Sequence, residues 1–268
     1  MTWDCIALTL GFGLLLGSFV NVLIHRLPRM VMATDASEMH AQRYDLCWPA
    51  SHCPHCQTPL KAWHNIPVLS YCWLKGRCGF CQQPISLQYP LIEIATAAIW
   101  LGSIWFWGLS TVGFCWALVG TVLLALSVID WQTTLLPDVL TQTLVWGGLI
   151  ASSLGWVTLP LTQSVWGAVL GYLFLWFVAT AFERVTGKQG MGAGDFKLLA
   201  GLGAWLGPLP LLPVVLLASL SGATVGLFLQ FTHRLRADGY IPFGPFLAMA
   251  GAVVAVGGID RIALWMGW

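Results

Sequence analysis

TVGFCWALVGTVLLALSVID, residues Thr111 to Asp130, runs without a charged side chain until it stops on an aspartate. About 20 predominantly apolar residues are what a helix needs to cross a bilayer. A carboxylate at the end of such a run sits at the membrane edge, where ionisable groups are costly and often functional. This stretch therefore raises two matters together: how many similar runs the chain contains, and what a carboxylate does at the end of one.

Composition answers the first in part. Hydrophobic residues make up 57% of the chain and charged residues 9%, against roughly 25% charged in ordinary soluble domains. Too few polar groups exist to cover a water-facing surface, so the chain reads as an all-α polytopic membrane protein. About eight apolar runs are expected to span: Cys5–Ile24, Leu91–Gly108, Val112–Ile129, Val139–Leu159, Ser164–Phe182, Phe196–Leu209, Leu211–Phe231 and Gly244–Trp265, the sixth being short. No basic residue precedes the first run and positive charges follow it, which reads as a retained helix and not a secretory signal. Within it Gly17, Ser18 and Asn21 share a face, a pattern expected to pack closely on another helix.

Lysine and arginine favour the cytoplasmic side of short loops. In this arrangement Arg26, Arg29, Arg43, Lys61, Lys75, Arg77, Arg184, Lys188, Lys197, Arg234 and Arg236 fall on one face, and only Arg261 does not. That face is expected to be cytoplasmic, with both termini outside. The net charge of +1 says little by itself, and no nucleic-acid partner is expected. The chain divides into a first helix (residues 1–27), a polar loop (28–90) and a helical core (91–268).

The polar loop holds CPHC and RCGFC, placing Cys53, Cys56, Cys78 and Cys81 in two Cys-x-x-Cys pairs at four-thiolate zinc spacing. Disulfides compete with that reading, but a cytoplasmic loop keeps its thiols reduced. Four thiolates fill a tetrahedral shell and leave no position for an activated water, so the expected zinc is structural. Cys5, Cys47, Cys72 and Cys115 read as small apolar residues.

Catalysis is then sought among the acids near spans: Glu93, Asp130, Asp138, Glu183, Asp195 and Asp260. Asp130 closes the third span and Asp195 opens the sixth, in GMGAGDFK, both on the cytoplasmic edge. Two carboxylates brought together share a proton; one takes a proton from water while the other polarises a carbonyl. From spacing alone Asp130 and Asp138 are equal candidates to partner Asp195, and Asp138 after Pro137 also reads as a helix N-cap. Gly190, Gly192 and Gly194 lack the strand and the Lys-Ser/Thr ending of a phosphate loop and read as a flexible loop admitting water and an extended substrate. Lys197 reads as a topology-setting charge. No His-Glu-x-x-His motif is present, and no two-fold repetition of the spans supports transport. The rival to an enzyme is a membrane transporter or a secretion-system assembly scaffold without catalysis.

GAGDFK, downstream of DWQTTLLPD, resembles the Gly-x-Gly-Asp intramembrane aspartyl proteases and in particular the bacterial prepilin peptidases. The likeness also covers GSFVNVLIHRLP, the paired CPHC and CGFC, NIPVLSY, GRC, PLIE and IPFGPFLA, in one order along nearly the whole chain. It implies that Asp130 and Asp195 are the catalytic pair, with Gly192, Gly194 and Lys197 in the supporting site. It implies cleavage of type IV prepilins or pseudopilins after the glycine ending a short basic leader, in a bacterial inner membrane. It further implies methylation of the new N-terminal amine from S-adenosylmethionine, with Gly76 at a position tied to that activity. Two departures are visible: RMVMATDASEMHAQRYDLCWPASHC keeps only the general acidic, Met-rich character of the family, and Gln88 stands where an arginine is usual. Glu93 reads either as part of the site or as a helix cap.

Overall fold

A computed structural model describes residues 2–32, 44–188, 190–232 and 241–258. Arg43, Arg234, Arg236, Asp260 and Arg261 lie outside the described residues, as do much of the Met-rich stretch, most of the THRLRADGYIP loop and the end of the eighth expected span. Among the described residues the fold is helical, with two isolated β-bridges and no strand. The helices are α1 (Trp3–Met32), α2 (Leu69–Trp73), α3 (Gln88–Trp107), α4 (Thr111–Thr133), α5 (Asp138–Ser153), α6 (Leu161–Thr186), α7 (Ala193–Leu206), α8 (Leu211–Phe231) and α9 (Gly244–Gly257), with a 3-10 turn at Ala62–Asn65.

Each expected span corresponds to a helix. Five of them, α1, α3, α4, α6 and α8, are long and apolar enough to cross a membrane. The chain is thus a multi-pass membrane protein. α5 has 16 residues and α7 and α9 have 14 each; at 1.5 Å per residue a 14-residue helix reaches about 21 Å, short of the roughly 30 Å hydrocarbon layer. α1 in turn continues past the expected end at Ile24 to Met32, carrying Pro28 inside it. The proline removes one helical N–H, and the burial of Arg26, Leu27 and Pro28 keeps the segment helical.

The chain forms two compact units, Met1–Thr121 and Val122–Trp268. In the first, α1 packs along α3. Lipid tails are as apolar as leucine, so helices in a bilayer associate through close packing and hydrogen bonds, and small residues supply that closeness here. A Cβ on Gly13 would stand 2.6 Å from the Ala97 Cα, and one on Gly17 would stand 2.5 Å from the Glu93 Cα. Asn21 Nδ2 donates to the Tyr89 carbonyl at 3.0 Å. The GSFVN face therefore packs as its sequence predicts. Arg26, buried in the same helix, donates to the carbonyls of Asp45 (2.8 Å) and Pro49 (2.6 Å), so its charge leaves water with hydrogen bonds made.

In the second unit α7 is the central element, packed against α5, α6 and α9. Its sequence AGDFKLLAGLGAWL lets neighbours in from all sides. Gly167 on α6 faces Gly203 so closely that a Cβ on either would collide with the other's carbonyl, and a Cβ on Gly171 would lie 2.6 Å from the Leu199 carbonyl oxygen. Ser164 Oγ donates to the Ala204 carbonyl at 2.6 Å and Trp205 Nε1 to the Leu144 carbonyl at 2.8 Å. This wrapping explains a 14-residue helix with ten buried residues. It also fixes the carboxylate carried in its first turn.

Candidate active site and metal centre

Asp130 lies in the last turn of α4 and Asp195 in the first turn of α7, each only 4% exposed. Both belong to the second unit, and the Asp130 charge acts directly on Asp195. The local sequence explains how each is held. Asp195 is the third helical residue after the cap Gly192, the position from which a side chain points back toward the cap, and the Gly192 main chain acts on this carboxylate. Its Oδ1 is buried without a hydrogen-bond partner in the protein. Asp130 is fixed from the far end of the chain: the Gly244 N–H, at the start of α9, donates to Oδ2 at 2.9 Å. A buried polar atom left without a partner is costly, so a buried pair of acids with an open oxygen is suited to receiving a water or a substrate carbonyl.

Asp138 is not brought into this pair as an equal. It is the first residue of α5, with Pro137 in the cap position and no side-chain capping bond, so the expected N-cap role is replaced. The physical reason is Lys197, whose Nζ donates to Asp138 Oδ1 at 2.6 Å. Two residues beyond Asp195 on α7, that ammonium draws the exposed Asp138 carboxylate into an ion pair. Lys197 is therefore a tether between α5 and α7.

The glycines before Asp195 divide in role. α7 begins at Ala193, so Gly194 is helical and not part of a flexible loop. A Cβ there would stand 2.7 Å from the Leu136 Cβ, so glycine allows the helix start to seat against the α4–α5 connection. Gly192 meets nothing within 4 Å of a built Cβ and has φ −83°, so neither space nor backbone demands glycine at that position. Gly244 is the neighbour of Asp130 that the sequence reading does not single out. A Cβ on it would stand 2.6 Å from Asp130 Oδ2. Its signal was the glycine of IPFGPFLA, which motif spacing alone could not connect with an aspartate so far away in the chain.

In the first unit the four paired cysteines converge, their Sγ atoms within 4.8 Å of one another. The Cys53 and Cys81 sulfurs are 3.8 Å apart, and a tetrahedral zinc with Zn–S of about 2.3 Å puts its sulfurs about 3.8 Å from each other. The donor set fits a closed structural site. Each Cys-x-x-Cys is built alike. Cys53 N–H donates to Thr58 O and Cys78 N–H to Gln83 O, while Gln57 N–H returns to Cys53 O and Gln82 N–H to Cys78 O. Gln57 and Gln82 take the positive φ that turns each loop, and the bridges His52–Pro59 and Arg77–Pro84 close them. The repeat Cys-x-x-Cys-Gln-x-Pro, from Cys53 and again from Cys78, is the sequence trace of this two-fold design.

The thiols differ in their readiness to ionise. The Thr58 side chain, followed by its backbone N–H, brings Cys56 down to about 6. The backbone N–H groups of Cys81 and Phe80 lower Cys78. At Cys81 the Gln83 N–H pulls down, but burial and the three neighbouring sulfurs prevail and push it up to about 11. Sulfurs that cannot all carry charge alone are suited to sharing a divalent cation. Gly76, just before the second knuckle, has φ +68°, where a side chain would be strained, and a Cβ would meet Tyr71 Oη at 2.8 Å.

Comparison with known proteins follows this division. Residues 12–107 match the bacterial peptidase A24 N-terminal domain and residues 116–227 match the type IV leader peptidase family. A prepilin leader peptidase/N-methyltransferase of Pseudomonas putida is 45% identical over 267 residues, covering 96% of this chain and 92% of the relative. Proteins of the same name from Dickeya chrysanthemi (45% over 255 residues; 90% and 88% covered) and Burkholderia pseudomallei strain 1026b (44% over 264; 92% and 84%) are similarly alike. No solved structure matches the chain. With both family regions in order and identity sustained over nearly its whole length, the chain belongs to the type IV leader peptidase family.

Proposed function

We propose that this protein is a membrane aspartic endopeptidase that removes the short basic leader of type IV prepilins or pseudopilins after its terminal glycine, and then methylates the exposed N-terminal amine. The observation carrying the first half is the buried pair Asp130 and Asp195, the first held by the Gly244 N–H and the second seated in the first turn of α7. The Gly244 N–H orients Asp130 Oδ2 as an acceptor, which suits Asp130 as the carboxylate that takes a proton from the attacking water. The open Oδ1 of Asp195 suits the acid that polarises the scissile carbonyl. When the tetrahedral species collapses, the proton gained by Asp130 passes to the leaving amine, and the pair returns to its shared-proton state.

The curated relatives bear the name of both activities, which supports the second step; S-adenosylmethionine is the methyl-donor substrate. Cys53, Cys56, Cys78 and Cys81 would hold one structural zinc and fold the loop of residues 28–90, which has little apolar core of its own. Residues 122–268, which hold both aspartates, then form the protease core, and α1, Trp3–Met32, is the first helix. The one-sided lysines and arginines support an inner-membrane enzyme with about eight crossings and with loop and dyad facing the cytoplasm. There a basic leader stays in water while the apolar segment behind it lies in lipid. The test is incubation of the purified protein in detergent with a short-leader prepilin, read by mass spectrometry for loss of the leader and gain of one methyl group. An intact precursor under conditions where the protein retains metal and fold refutes the reading.

A further inference from the structure

Glu93 is a buried carboxylate that the proposed hydrolysis does not use. It lies on α3 against the close approach of Gly17, and the Ser18 side chain of α1 acts on it. Its Oε2 accepts the Val68 N–H at 2.7 Å. Val68 is a β-branched residue at φ +59° and ψ −48°, with the Leu69 N–H donating to the Pro67 carbonyl across it. This is a γ-turn of the rare, strained hand, in a region that β-branched residues avoid. Strain of this kind persists where surrounding bonds enforce it and gathers at functional sites. The bond to Glu93 is the enforcing contact on the Val68 amide.

What the turn controls can be followed bond by bond within the first unit. Val68 caps α2, and α2 carries Tyr71. The Gly76 N–H donates to the Tyr71 carbonyl at 2.9 Å, the Tyr71 ring lies over the Gly76 Cα where a side chain would otherwise sit, and Tyr71 Oη reaches the Ile85 carbonyl at 3.4 Å. The Ile85 N–H returns to the Gly76 carbonyl at 2.8 Å, closing the knuckle that holds Cys78 and Cys81. A continuous set of contacts thus runs from a membrane helix, through one strained residue, to the second cysteine knuckle. Both candidate hydrolytic aspartates lie in the other unit.

We infer that Glu93 is a positioning residue for methyl transfer: by holding the strained Val68 turn against α1 and α3 it sets where Tyr71, Gly76 and the second cysteine knuckle stand at the membrane surface. The inference rests on the reading that methyl transfer resides in the cysteine-bearing unit. Glu93 contributes an acceptor for one N–H in this role, and its charge is not required.

That distinction makes the test. Purified Glu93→Ala, Glu93→Gln and Glu93→Ala/Val68→Gly enzymes are assayed separately for cleavage of a prepilin and for methylation of a pre-cleaved pilin, with hydrogen exchange followed on peptides covering residues 66–76. Glu93→Ala is expected to lose methylation by roughly tenfold or more while cleavage stays within about twofold, with faster exchange across the turn. Glu93→Gln, whose amide oxygen still accepts the Val68 N–H, is expected to retain both activities and the protection. The double variant, with glycine free to take positive φ, is expected to recover methylation relative to Glu93→Ala. Unchanged methylation in Glu93→Ala, or unchanged exchange at 66–76, overturns the inference. So does a Glu93→Gln enzyme that stays protected yet fails to methylate, because the carboxylate would then act in the chemistry itself. A parent enzyme that cleaves but never methylates refutes the assignment of methyl transfer, while the exchange measurement still decides whether Glu93 holds the turn.

Discussion

Gly244→Ala separates the proposed dyad geometry from the mere presence of two aspartates. The substitution keeps the N–H that donates to Asp130 and adds one carbon. That carbon would stand 2.6 Å from Asp130 Oδ2, 3.2 Å from its Cγ and 3.3 Å from Leu136 Cδ2. Gly244 begins α9 and has no positive φ, so alanine is conformationally acceptable and the effect is steric. Restoring an ordinary contact moves the carboxylate by about 0.7 Å or more, and a misplacement near 1 Å costs on the order of a hundredfold in rate, about 2.7 kcal/mol of barrier. We expect the turnover for prepilin cleavage to fall between tenfold and a few hundredfold, with methylation of a pre-cleaved pilin and zinc content unchanged. Gly222→Ala is the matched control, since its new carbon would meet the Phe246 ring at an ordinary 3.4 Å, and it should cleave at nearly the parent rate. The assay is initial-rate mass spectrometry in detergent with equal amounts of folded, metal-replete protein. Parent-level cleavage by Gly244→Ala would refute the claim that this glycine seats the reacting carboxylate.

Asp130→Asn and Asp195→Asn should each abolish cleavage, and the double change should add almost nothing, because residues acting as a unit are not additive; normal cleavage by either single variant sinks the aspartyl mechanism. Asp138→Asn should keep most activity, as it weakens an ion pair whose partners are 65% and 27% exposed and which is worth about 0–1 kcal/mol; loss of activity equal to Asp195→Asn would place Asp138 in the chemistry. Metal analysis should find about one zinc per chain, lost in Cys53→Ser and Cys81→Ser; unchanged zinc in both variants removes the metal site. Cysteine labelling in cells should place residues 28–90 and 183–194 in the cytoplasm, and labelling of either from outside breaks the proposed topology.

Helix positions were legible because hydrocarbon imposes one requirement, a continuous apolar run whose backbone is satisfied internally. The lengths of α5, α7 and α9 were not. Hydropathy records greasiness on all sides, but it does not say whether the surrounding medium is lipid or other helices. In α7 it is other helices, and the decisive marks are Gly201, Gly203 and Ala204, small residues that count as weakly apolar in any hydropathy reading. The cysteine cluster was legible to the residue, since metal geometry is written locally in Cys-x-x-Cys spacing.

The acids show where local reading stops. Asp130 and Asp138 stand at comparable distances from Asp195 in sequence, and both lie near helix ends, so spacing weighs them equally. What separates them is a cation and a neighbour. Lys197, two residues after Asp195, takes Asp138 at 2.6 Å, while Asp130, almost wholly buried, receives the Gly244 N–H. A helix that presents Asp195 inward in its first turn turns Lys197 outward, because residues two apart on a helix face different sides. The side facing Lys197 must therefore offer an exposed acid, and the side facing Asp195 a buried one. The DFK order thus assigns both partners, Asp138 to the lysine and Asp130 to the aspartate, but only once the helix and its neighbours are in place.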